Sequence, residues 1–435
     1  MANIAILISI LPVVAAVLLY QIDPFDPAPY PDHELTRNGE PLFIPKRNSH
    51  MLLGSEKIGY GELPAPEDIA YDPKTGVIYT GCVDGWLRRV SIKGSAATAA
   101  DFVVEEWVNT GGRPLGIVHG IHGEVIVADA DKGLLNISRD GVIELLTDEA
   151  DGLKFKLTDA VDIGPDGTLY FTDASYKHNF KNHFEDFLEG RPNGRFLSYD
   201  PSSKQTQVLV KDLYFANGVA LSADQSFVIF CETAMMRCKK YYIQGPSRGS
   251  VDIFVENLPG LPDNIRYDGE GQYWIALTTD TSVWKLAQRY PFIRKVIAMV
   301  DRYIGRPSTE KNGGVIAVDL DGKPTPSLSF SSLPFLHNSR SPPCLPYQPP
   351  KRGKTFGLFL LFASQQLVGV DMPTTPKAAA TPHTSDLCHL AYPFSAVDGL
   401  PVNASSPIEI SEFIVNLREI EEAYSTTSHI ITPMN

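Results

Sequence analysis

Five short segments of this chain share a three-residue pattern: a first position that is polar in four of the five, a second residue, and then an aliphatic residue. Their first positions are spaced by 48, 44, 58 and 46 residues, and each segment leads into a turn and a β-rich run. A recurrence of about 40–50 residues that contains several strands is typical of β-propeller blades. The five segments are Glu67-Asp68-Ile69, Leu115-Gly116-Ile117, Asp159-Ala160-Val161, Asn217-Gly218-Val219 and Asp263-Asn264-Ile265.

Equivalent positions of successive blades form a ring around the propeller axis, so the polar first positions are expected to meet there. Calcium prefers six to eight oxygen ligands from carboxylates, amide carbonyls and water. The alternative is that these side chains line a tunnel and bind only water. The pattern favours a Ca²⁺ site whose candidate ligands are Glu67, Asp159, Asn217, Asp263 and Asn264.

The composition is that of an ordinary acidic globular protein. The chain has 435 residues, a formal net charge of −13 and 43% hydrophobic residues. This charge argues against nucleic acid, or an anionic membrane surface, as the main partner. The sequence contains no P-loop, no G-x-S-x-G elbow and no G-x-G-x-x-G motif.

The N-terminus is almost wholly apolar over residues 4–20 and ends at acidic and proline residues. Seventeen apolar residues lie at the lower limit for a membrane span, so residues 1–22 are predicted to be an apolar helix that acts as a signal anchor or uncleaved signal. A cleaved signal peptide is the alternative. Two N-x-S sequons, at Asn136 and Asn403, fit a secretory route with N-glycosylation.

The remaining chain divides by its pattern into three parts. Residues 23–61 form an irregular arm, and residues 62–323 show the strand and turn pattern of the blades. Helix-like excursions interrupt the blades at 177–190 and 286–305. Residues 324–435 are a proline-rich, divergent tail that we predict to be poorly ordered. The chain therefore runs out of blade sequence about one blade early, which predicts an all-β, six-bladed propeller whose last blade is incomplete or replaced.

Five cysteines include one pair at hairpin spacing. Cys231 and Cys238 flank a predicted turn, where they either form a disulfide in an oxidising compartment or remain two buried thiols. Histidines offer no clear catalytic pattern. His119, His122, His178 and His183 are either general bases near a metal or ordinary loop residues.

Several runs resemble the strictosidine synthase-like family over about residues 63–323, and most closely its plant members related to the adipocyte plasma membrane-associated protein. The resemblance implies a six-bladed propeller shared with Ca²⁺-dependent paraoxonases and gluconolactonases. It also implies a secretory location, the endoplasmic reticulum membrane or the vacuole, with the propeller on the lumenal side. The runs that carry it include Asn217–Ser222, Lys240–Ile243, Glu256–Gly260, Pro262–Ile265 and Gly167–Ser175.

The resemblance implies two enzymatic activities that this sequence fits unequally. Strictosidine synthase condenses tryptamine with the aldehyde secologanin and needs a glutamate in its last blade, but no matching blade follows Lys323. The hydrolase relatives hold Ca²⁺ at positions that correspond to Glu67, Asn217, Asp263 and Asn264, with a further polar ligand at Asp159. Paraoxonases carry a histidine where this chain has Leu115.

We therefore expect a propeller of the secretory pathway that is tethered to the membrane by its N-terminal segment. Its expected chemistry is Ca²⁺-dependent hydrolysis of a small ester or lactone, with a small molecule rather than nucleic acid as partner. The catalytic residues are not identified by the sequence. The alternatives are amine-aldehyde condensation, and a non-catalytic membrane-tethered scaffold or inactive product.

Overall fold

The computed structural model of the protein describes residues 17–35, 42, 58–59, 61–92, 102–280, 282–305, 314–325, 360–363 and 366–369. Most of these residues lie in antiparallel sheets whose strands follow one another in chain order. The strands are β1 (Ile69–Asp72), β2 (Val77–Gly81), β3 (Trp86–Ile92), β4 (Phe102–Asn109), β5 (Pro114–His119), β6 (Val125–Asp129), β7 (Gly133–Ile137), β8 (Ile143–Thr147), β9 (Glu149–Ala150), β10 (Leu153–Lys154), β11 (Thr158–Ile163), β12 (Leu169–Asp173), β13 (Gly194–Asp200), β14 (Gln205–Leu213), β15 (Ala216–Leu221), β16 (Phe227–Glu232), β17 (Arg237–Tyr242), β18 (Val251–Val255), β19 (Gly260–Tyr267), β20 (Gln272–Asp280), β21 (Gly314–Asp319), β22 (Leu360–Ala363) and β23 (Gln366–Gly369).

These sheets are the blades of a propeller. Four sheets have four strands each (blade 1, β1–β4; blade 2, β5–β8; blade 3, β11–β14; blade 4, β15–β18), and blade 5 has three (β19–β21). The innermost strands β1, β5, β11, β15 and β19 each contact the next one in this order. The propeller predicted from the recurrence is therefore confirmed.

A short hairpin occupies the sixth position of the ring. Strand β22 pairs with β23 and contacts both β19 of blade 5 and β1 of blade 1, which closes the circle of inner strands. In the sequence this segment showed only an apolar run within the proline-rich tail. The last blade is thus incomplete among the described residues, as the sequence predicted, and the tail supplies it. The predicted domain boundaries stay predictions.

The blades pack through side chains on both of their faces, which is why their middle strands are nearly all apolar. Strands β6 and β12 are buried along their whole length, whereas the outer strand β8 is largely exposed. The stacked rings of Phe196 and Phe230, with centroids 4.7 Å apart, join blade 3 to blade 4. Burying such rings supplies much of the packing energy of a core.

Helices cap one end of the propeller. Because Thr158 pairs with Asp173 and Gly260 pairs with Asp280, each loop from a second to a third strand starts beside the first residues of an inner strand. We call this end the ring end. The helices are α1 (Asp32–Leu35), α2 (His183–Glu189), α3 (Ser282–Arg289) and α4 (Pro291–Tyr303), with 3-10 turns at Phe180–Asn182 and Thr233–Met235.

Both predicted excursions contain helices at the ring end. Helix α2 follows β12, and α3 and α4 follow β20. Pro291 separates α3 from α4 and begins α4, where its missing N–H costs no hydrogen bond. The side chain of Arg294 is fully buried and donates to the carbonyls of Ala287 (3.0 Å) and Leu188 (2.9 Å), so it ties the two insertions together.

The N-terminal arm lies across this cap. Ala28 donates a backbone hydrogen bond to Glu189 (2.8 Å), and its carbonyl accepts one from Arg294. Residues 17–22 are helical, but residues 1–16 of the predicted anchor lie outside the described residues, so the anchor stays a prediction. No helix in the described part of the chain is long and apolar enough to cross a membrane.

One disulfide joins Cys231 to Cys238, which face each other across β16 and β17. The sequence left open a disulfide or two buried thiols, and the structure contains the disulfide. Cys82 is a buried free thiol, while Cys344 and Cys388 lie outside the described residues.

Candidate metal centre

All five residues that the sequence proposed as metal ligands lie at the ring end of inner strands, and all are at most 4% exposed. Residues 197 positions apart in the sequence touch there. The side-chain amide of Asn264 in blade 5 donates to Glu67 at the start of blade 1, to Oε1 at 2.9 Å and to the backbone carbonyl at 3.2 Å. Two of the candidate ligands, in blades 1 and 5, are therefore in direct contact.

A bulge lies at the ring position of each inner strand in blades 2 to 5. The pairing register shifts between Pro114 and Ile117, and it shifts at the corresponding places in the other three strands. A β-bulge bends a strand and redirects a side chain, and bulges are common next to functional sites. Here each bulge contains the ring residue itself, in the segments 115–116, 159–160, 217–218 and 263–264.

Glycines allow neighbouring blades to approach closely at this level. A Cβ added to Gly218 would lie 2.2 Å from the carbonyl oxygen of Asp263, and one added to Gly116 would lie 2.6 Å from that of Asp159. Both distances are far below a normal contact. The glycine of one blade therefore sets the distance to the ring carboxylate of the next.

Replacing Gly218 by alanine is expected to disturb the ring as well as the fold. The added methyl group must push the backbone at Asp263 away, which we expect to cost about 1–3 kcal/mol of unfolding free energy and to weaken metal binding. Urea unfolding and Ca²⁺ titration measure the two effects. Gly164→Ala is the control, because the added methyl group would first meet the Tyr170 side chain at 3.1 Å. Equal effects of both variants would contradict the role of Gly218.

The ring carboxylates lie close enough to repel one another. Burial is the largest cause that raises the pKa of Glu67 well above its usual value, and the charges of Asp263, Asp159 and Asp68 raise it further. The pKa of Asp159 is raised well above its usual value by burial, then by Asp263 and Asp68. A divalent cation between these groups would relieve the repulsion and keep them ionised.

Two buried oxygens point to a ligand. Glu67 Oε2 and Asn217 Oδ1 accept no hydrogen bond from the described residues. Buried polar atoms are almost always satisfied, so such atoms indicate an ion or water. No group of three or more His, Cys, Asp and Glu side chains in the described part of the chain has metal-binding geometry. A Ca²⁺ site here therefore needs the amide oxygens as well as the carboxylates, and that mixed oxygen set is one that calcium accepts.

A repeated acidic residue, which we did not single out in the sequence, holds the start of the inner strands. It ends the second strand in blades 2, 3 and 4 and accepts a hydrogen bond from a backbone N–H two or three residues before the ring position. Its recurrence at the end of the VIVAD, LYFTD and FVIFCE runs was a signal available in the sequence. The bonds are Arg113 N to Asp129 (3.1 Å), Leu157 N to Asp173 (3.2 Å) and Tyr214 N to Glu232 (3.1 Å).

An ion pair lies one layer beyond the ring. Asp68 accepts hydrogen bonds from Ile117 N (3.1 Å) and from the guanidinium of Arg266, which also donates to the carbonyl of Ile117 (3.1 Å). Burial raises the pKa of both Asp68 and Asp162 above its usual value, and the charge of Arg266 opposes that rise. These contacts join blades 1, 2 and 5 across the axis. A pair of charged side chains therefore lies next to the ring residues, one layer further along the inner strands.

Arg113 is a second cation that the sequence analysis missed. It is 3% exposed and lies two residues before Leu115, the one ring position whose side chain has no oxygen. Its charge lowers the pKa of both Glu67 and Asp159. Its guanidinium lies 5.3 Å from the ring centre of Phe180, in the insertion of blade 3. Arg113 thus lies between the ring carboxylates and the cap.

A hydrophobic cluster lies at the ring end beside these polar groups. It contains Leu115 of β5 and Leu157, just before β11, together with Met235 and Leu261, and Phe180 packs against it. An apolar surround lowers the local dielectric and strengthens the electrostatic interactions of the polar groups next to it.

Three of the four histidines contact residues other than the ring residues. His119, at the far end of β5, stacks edge-on against Tyr79 with centroids 5.0 Å apart, and burial lowers its pKa. His178 lies 2.9 Å from Glu189 in the cap, and Nδ1 of His183 lies 2.6 Å from the carbonyl of Phe180. These contacts give them structural roles.

The predicted glycosylation sites stay predictions. Asn136 lies within β7, half-buried, and its amide donates to Glu144 at 3.3 Å. Asn403 lies outside the described residues.

Parts of this chain match two protein-family models. The family models of strictosidine synthase and of the strictosidine synthase-like N-terminal region match residues 159–246 and 48–90. The chain is 55% identical over 317 residues to the protein STRICTOSIDINE SYNTHASE-LIKE 6 of Arabidopsis thaliana, covering 72% of this chain and 84% of that protein. The chain belongs to the strictosidine synthase-like family. STRICTOSIDINE SYNTHASE-LIKE 7 of the same plant is 56% identical over 73% of this chain and 85% of its own length.

More distant matches of this family member include proteins of animals and bacteria. The adipocyte plasma membrane-associated protein of Bos taurus is 34% identical, covering 66% of this chain and 71% of that protein. Among solved structures, a gluconolactonase from Xanthomonas campestris matches with a TM-score of 0.45 and 16% identity, over 72% of this chain and 90% of that one. The calcium-binding protein regucalcin from Agrobacterium tumefaciens matches with a TM-score of 0.42 and 16% identity, over 60% and 73%.

Proposed function

We propose that this strictosidine synthase-like propeller binds Ca²⁺ at the ring and hydrolyses a small ester or lactone there. The observation that carries the proposal is that burial and then the charge of Asp263 raise the pKa of the buried Glu67 and Asp159 carboxyl groups, while the buried amide of Asn264 contacts Glu67 at 2.9 Å. Such a set is unfavourable without a cation and suits a hard divalent one. The residues that would hold it are Glu67, Asn217 and Asp263, assisted by Asp159 and Asn264.

Bound Ca²⁺ would supply polarisation of the ester carbonyl and stabilisation of the charge that develops on its oxygen. The other groups at the ring end have supporting roles. The apolar cluster with Leu115 and Phe180 would hold the apolar part of the substrate and exclude water. Arg113, beside the ring carboxylates, is placed to stabilise negative charge on the substrate. The pair Asp68 and Arg266 would close the far side of the site.

Hydrolysis is favoured over amine-aldehyde condensation by the sixth position of the ring. The resemblance to the condensing enzyme requires a glutamate in the last blade. The described hairpin there, Leu360–Ala363 and Gln366–Gly369, contains no carboxylate. The chain thus offers metal ligands at the ring but no described residue for the condensation chemistry.

We further propose that the N-terminal segment tethers the propeller to a membrane of the secretory pathway, the endoplasmic reticulum or vacuole, with the propeller on the lumenal side. The apolar run over residues 4–20 and the two sequons support this placement.

Turnover of phenyl acetate and of a simple aryl lactone by the detergent-solubilised chain tests the hydrolase. We expect activity with Ca²⁺, its loss on adding a chelator, and its loss in Asp263→Asn. In Arg113→Met, kcat is expected to fall roughly 100-fold, the size of effect seen when one oxyanion donor is removed. Its Ca²⁺ affinity should be equal or higher, because a cation beside the ring has gone.

Arg139→Met, which removes an exposed arginine at the other end of the propeller, is the matched control and should leave kcat unchanged. Calcium binding without ester or lactone turnover would show a binding protein rather than a hydrolase. Product formation from tryptamine and secologanin would instead support condensation.

A further inference from the structure

Helix α4 carries apolar side chains on its outer side as well as on its inner side. Its inner side packs Ile293 and Ile297 against the core and buries Arg294 and Ala298. On its outer side Phe292, Val296 and Tyr303 are 56%, 45% and 59% exposed, and they recur at helical spacing. A surface helix normally turns a polar side to solvent, and a helix that is apolar all round normally has a partner on each side. The outer stripe of α4 has the composition of a contact surface.

Helix α3 extends this surface. Its inner side buries Trp284 and Ala287 against the propeller cap, whereas Val283 and Leu286 on its outer side are 67% and 51% exposed. Tyr290, which follows α3 and is the N-cap of α4, is also exposed and continues the same i, i+3, i+7 stripe. Monomeric proteins rarely expose a contiguous apolar patch of this kind without a functional reason.

The helical residues 17–22 lie beside α4 and add to the patch. Lys295 Nζ lies 4.8 Å from the ring centre of Tyr20. Asp23, directly after these residues, accepts hydrogen bonds from Arg302 (3.0 Å) and from the Tyr303 hydroxyl (3.1 Å). The exposed side chains that this segment contributes are Val17, Leu18, Leu19 and Ile22.

Exposed basic residues lie beside the patch. Lys285 and Arg289 of α3 are exposed, whereas Arg294 is buried and Arg302 is paired with carboxylates. Exposed apolar side chains with basic residues beside them are the pattern of helices that lie in a membrane interface and attract anionic lipids. Residues 17–20 of the patch are also the end of the apolar run that the sequence shows over residues 4–20.

We propose that the outer faces of α3 and α4, together with residues 17–22, form a membrane-contact surface that lies on a lipid bilayer. This contact is separate from insertion of the N-terminal segment and does not depend on the proposed hydrolysis. Because α3 and α4 emerge at the ring end, the contact holds that end near the bilayer, where lipophilic small molecules are concentrated.

Tryptophan fluorescence of the whole chain in vesicles tests this surface. The vesicles consist of phosphatidylcholine and phosphatidylserine at about 4 to 1, with or without bromine on the acyl chains. In V296W we expect the bromines to quench the added fluorescence about twofold, because the side chain lies at the level of the acyl chains. V142W places the same probe on an exposed turn at the other end of the propeller, and its added fluorescence should not be quenched.

Each other outcome overturns the proposal. Equal quenching of V296W and V142W would show that the propeller has no preferred orientation on the bilayer. A V296W probe that is shielded from aqueous iodide but not quenched by brominated lipid would show that protein, such as a second copy of the chain, covers the helices. Thermal unfolding of both variants verifies that they are folded.

Discussion

Adding Ca²⁺ to the metal-free protein is expected to raise its unfolding temperature. At a Ca²⁺ concentration of about 100 times Kd, binding to the folded state alone contributes about 2.7 kcal/mol, which corresponds to roughly 5 °C for a domain of this size. The rise reflects relief of the repulsion among Glu67, Asp159 and Asp263. Scanning calorimetry over a Ca²⁺ series measures it.

The variant Asp263→Asn separates binding from folding. It removes one of the charges that raise the pKa of Glu67 and Asp159, so the metal-free variant should be at least as stable as the parent protein. It should also lose the response to Ca²⁺. The response of the parent protein should shrink as the pH falls, because carboxyl groups whose pKa is raised retain protons that compete with the metal.

A matched control is available at the outside of blade 1. Glu105→Gln removes one exposed carboxylate from β4 and should leave the full Ca²⁺ response. Loss of the response in both variants would indicate non-specific charge effects. If adding Ca²⁺ leaves the unfolding temperature of the parent protein unchanged, the result contradicts the proposed metal centre.

Replacing Arg195 by methionine is expected to destabilise the protein by about 3–5 kcal/mol at pH 8, because it leaves Asp173 buried without its ion-pair partner. Arg195 donates to Asp173 Oδ2 at 2.6 and 3.2 Å, and both side chains are buried. Asp173 also accepts the N–H of Leu157, so Ca²⁺ affinity should fall as well. Urea unfolding and calorimetric titration measure the two losses.

The loss of stability in Arg195→Met should be larger at high pH than at low pH. Burial raises the pKa of Asp173 to about 6, and Arg195 opposes that rise. Without Arg195 the pKa rises further, so at pH 5 the folded variant carries a neutral carboxyl group and the loss of stability should be smaller than at pH 8. Lys211→Met breaks the exposed pair with Asp151 and should change the stability little, because water screens such pairs. A loss for Arg195→Met as small as that of Lys211→Met would contradict the argument.

The propeller and its ring were predictable because both depend on local, repeated sequence. A blade is a meander of neighbouring strands, and a fixed position before an aliphatic residue, as in Asn217 to Val219, marks where each inner strand begins. Equivalent places in a closed repeat face the same axis. The spacing placed Glu67 and Asp263 at equivalent positions, and the structure brings Asn264, next to Asp263, into contact with Glu67.

The sixth position was not predictable in the same way. Its strands β22 and β23 follow a long proline-rich stretch and lack the polar-aliphatic signal of the other blades. Their pairing with the inner ring is a contact between distant parts of the chain, and local pattern carries no information about it. The helices of the cap were predicted as excursions, but the contact between them was not, because Arg294 looks like an ordinary helix residue until the carbonyls around it are seen.

The supporting groups of the ring were hidden for a different reason. Arg113 and Asp68 are adjacent to recognisable positions, yet their burial and partners come from other blades that meet near the axis. Periodicity predicts which face of a strand is buried, but it does not predict the partner that a side chain finds on another blade. Such residues can be identified only from the three-dimensional structure.

The most direct test of the central claim is a crystal structure of the protein grown in Ca²⁺. We expect one calcium ion at the ring, about 2.3–2.6 Å from side-chain oxygens of Glu67, Asn217 and Asp263. A ring that holds only water at saturating Ca²⁺, with the ion bound elsewhere or not at all, would contradict it.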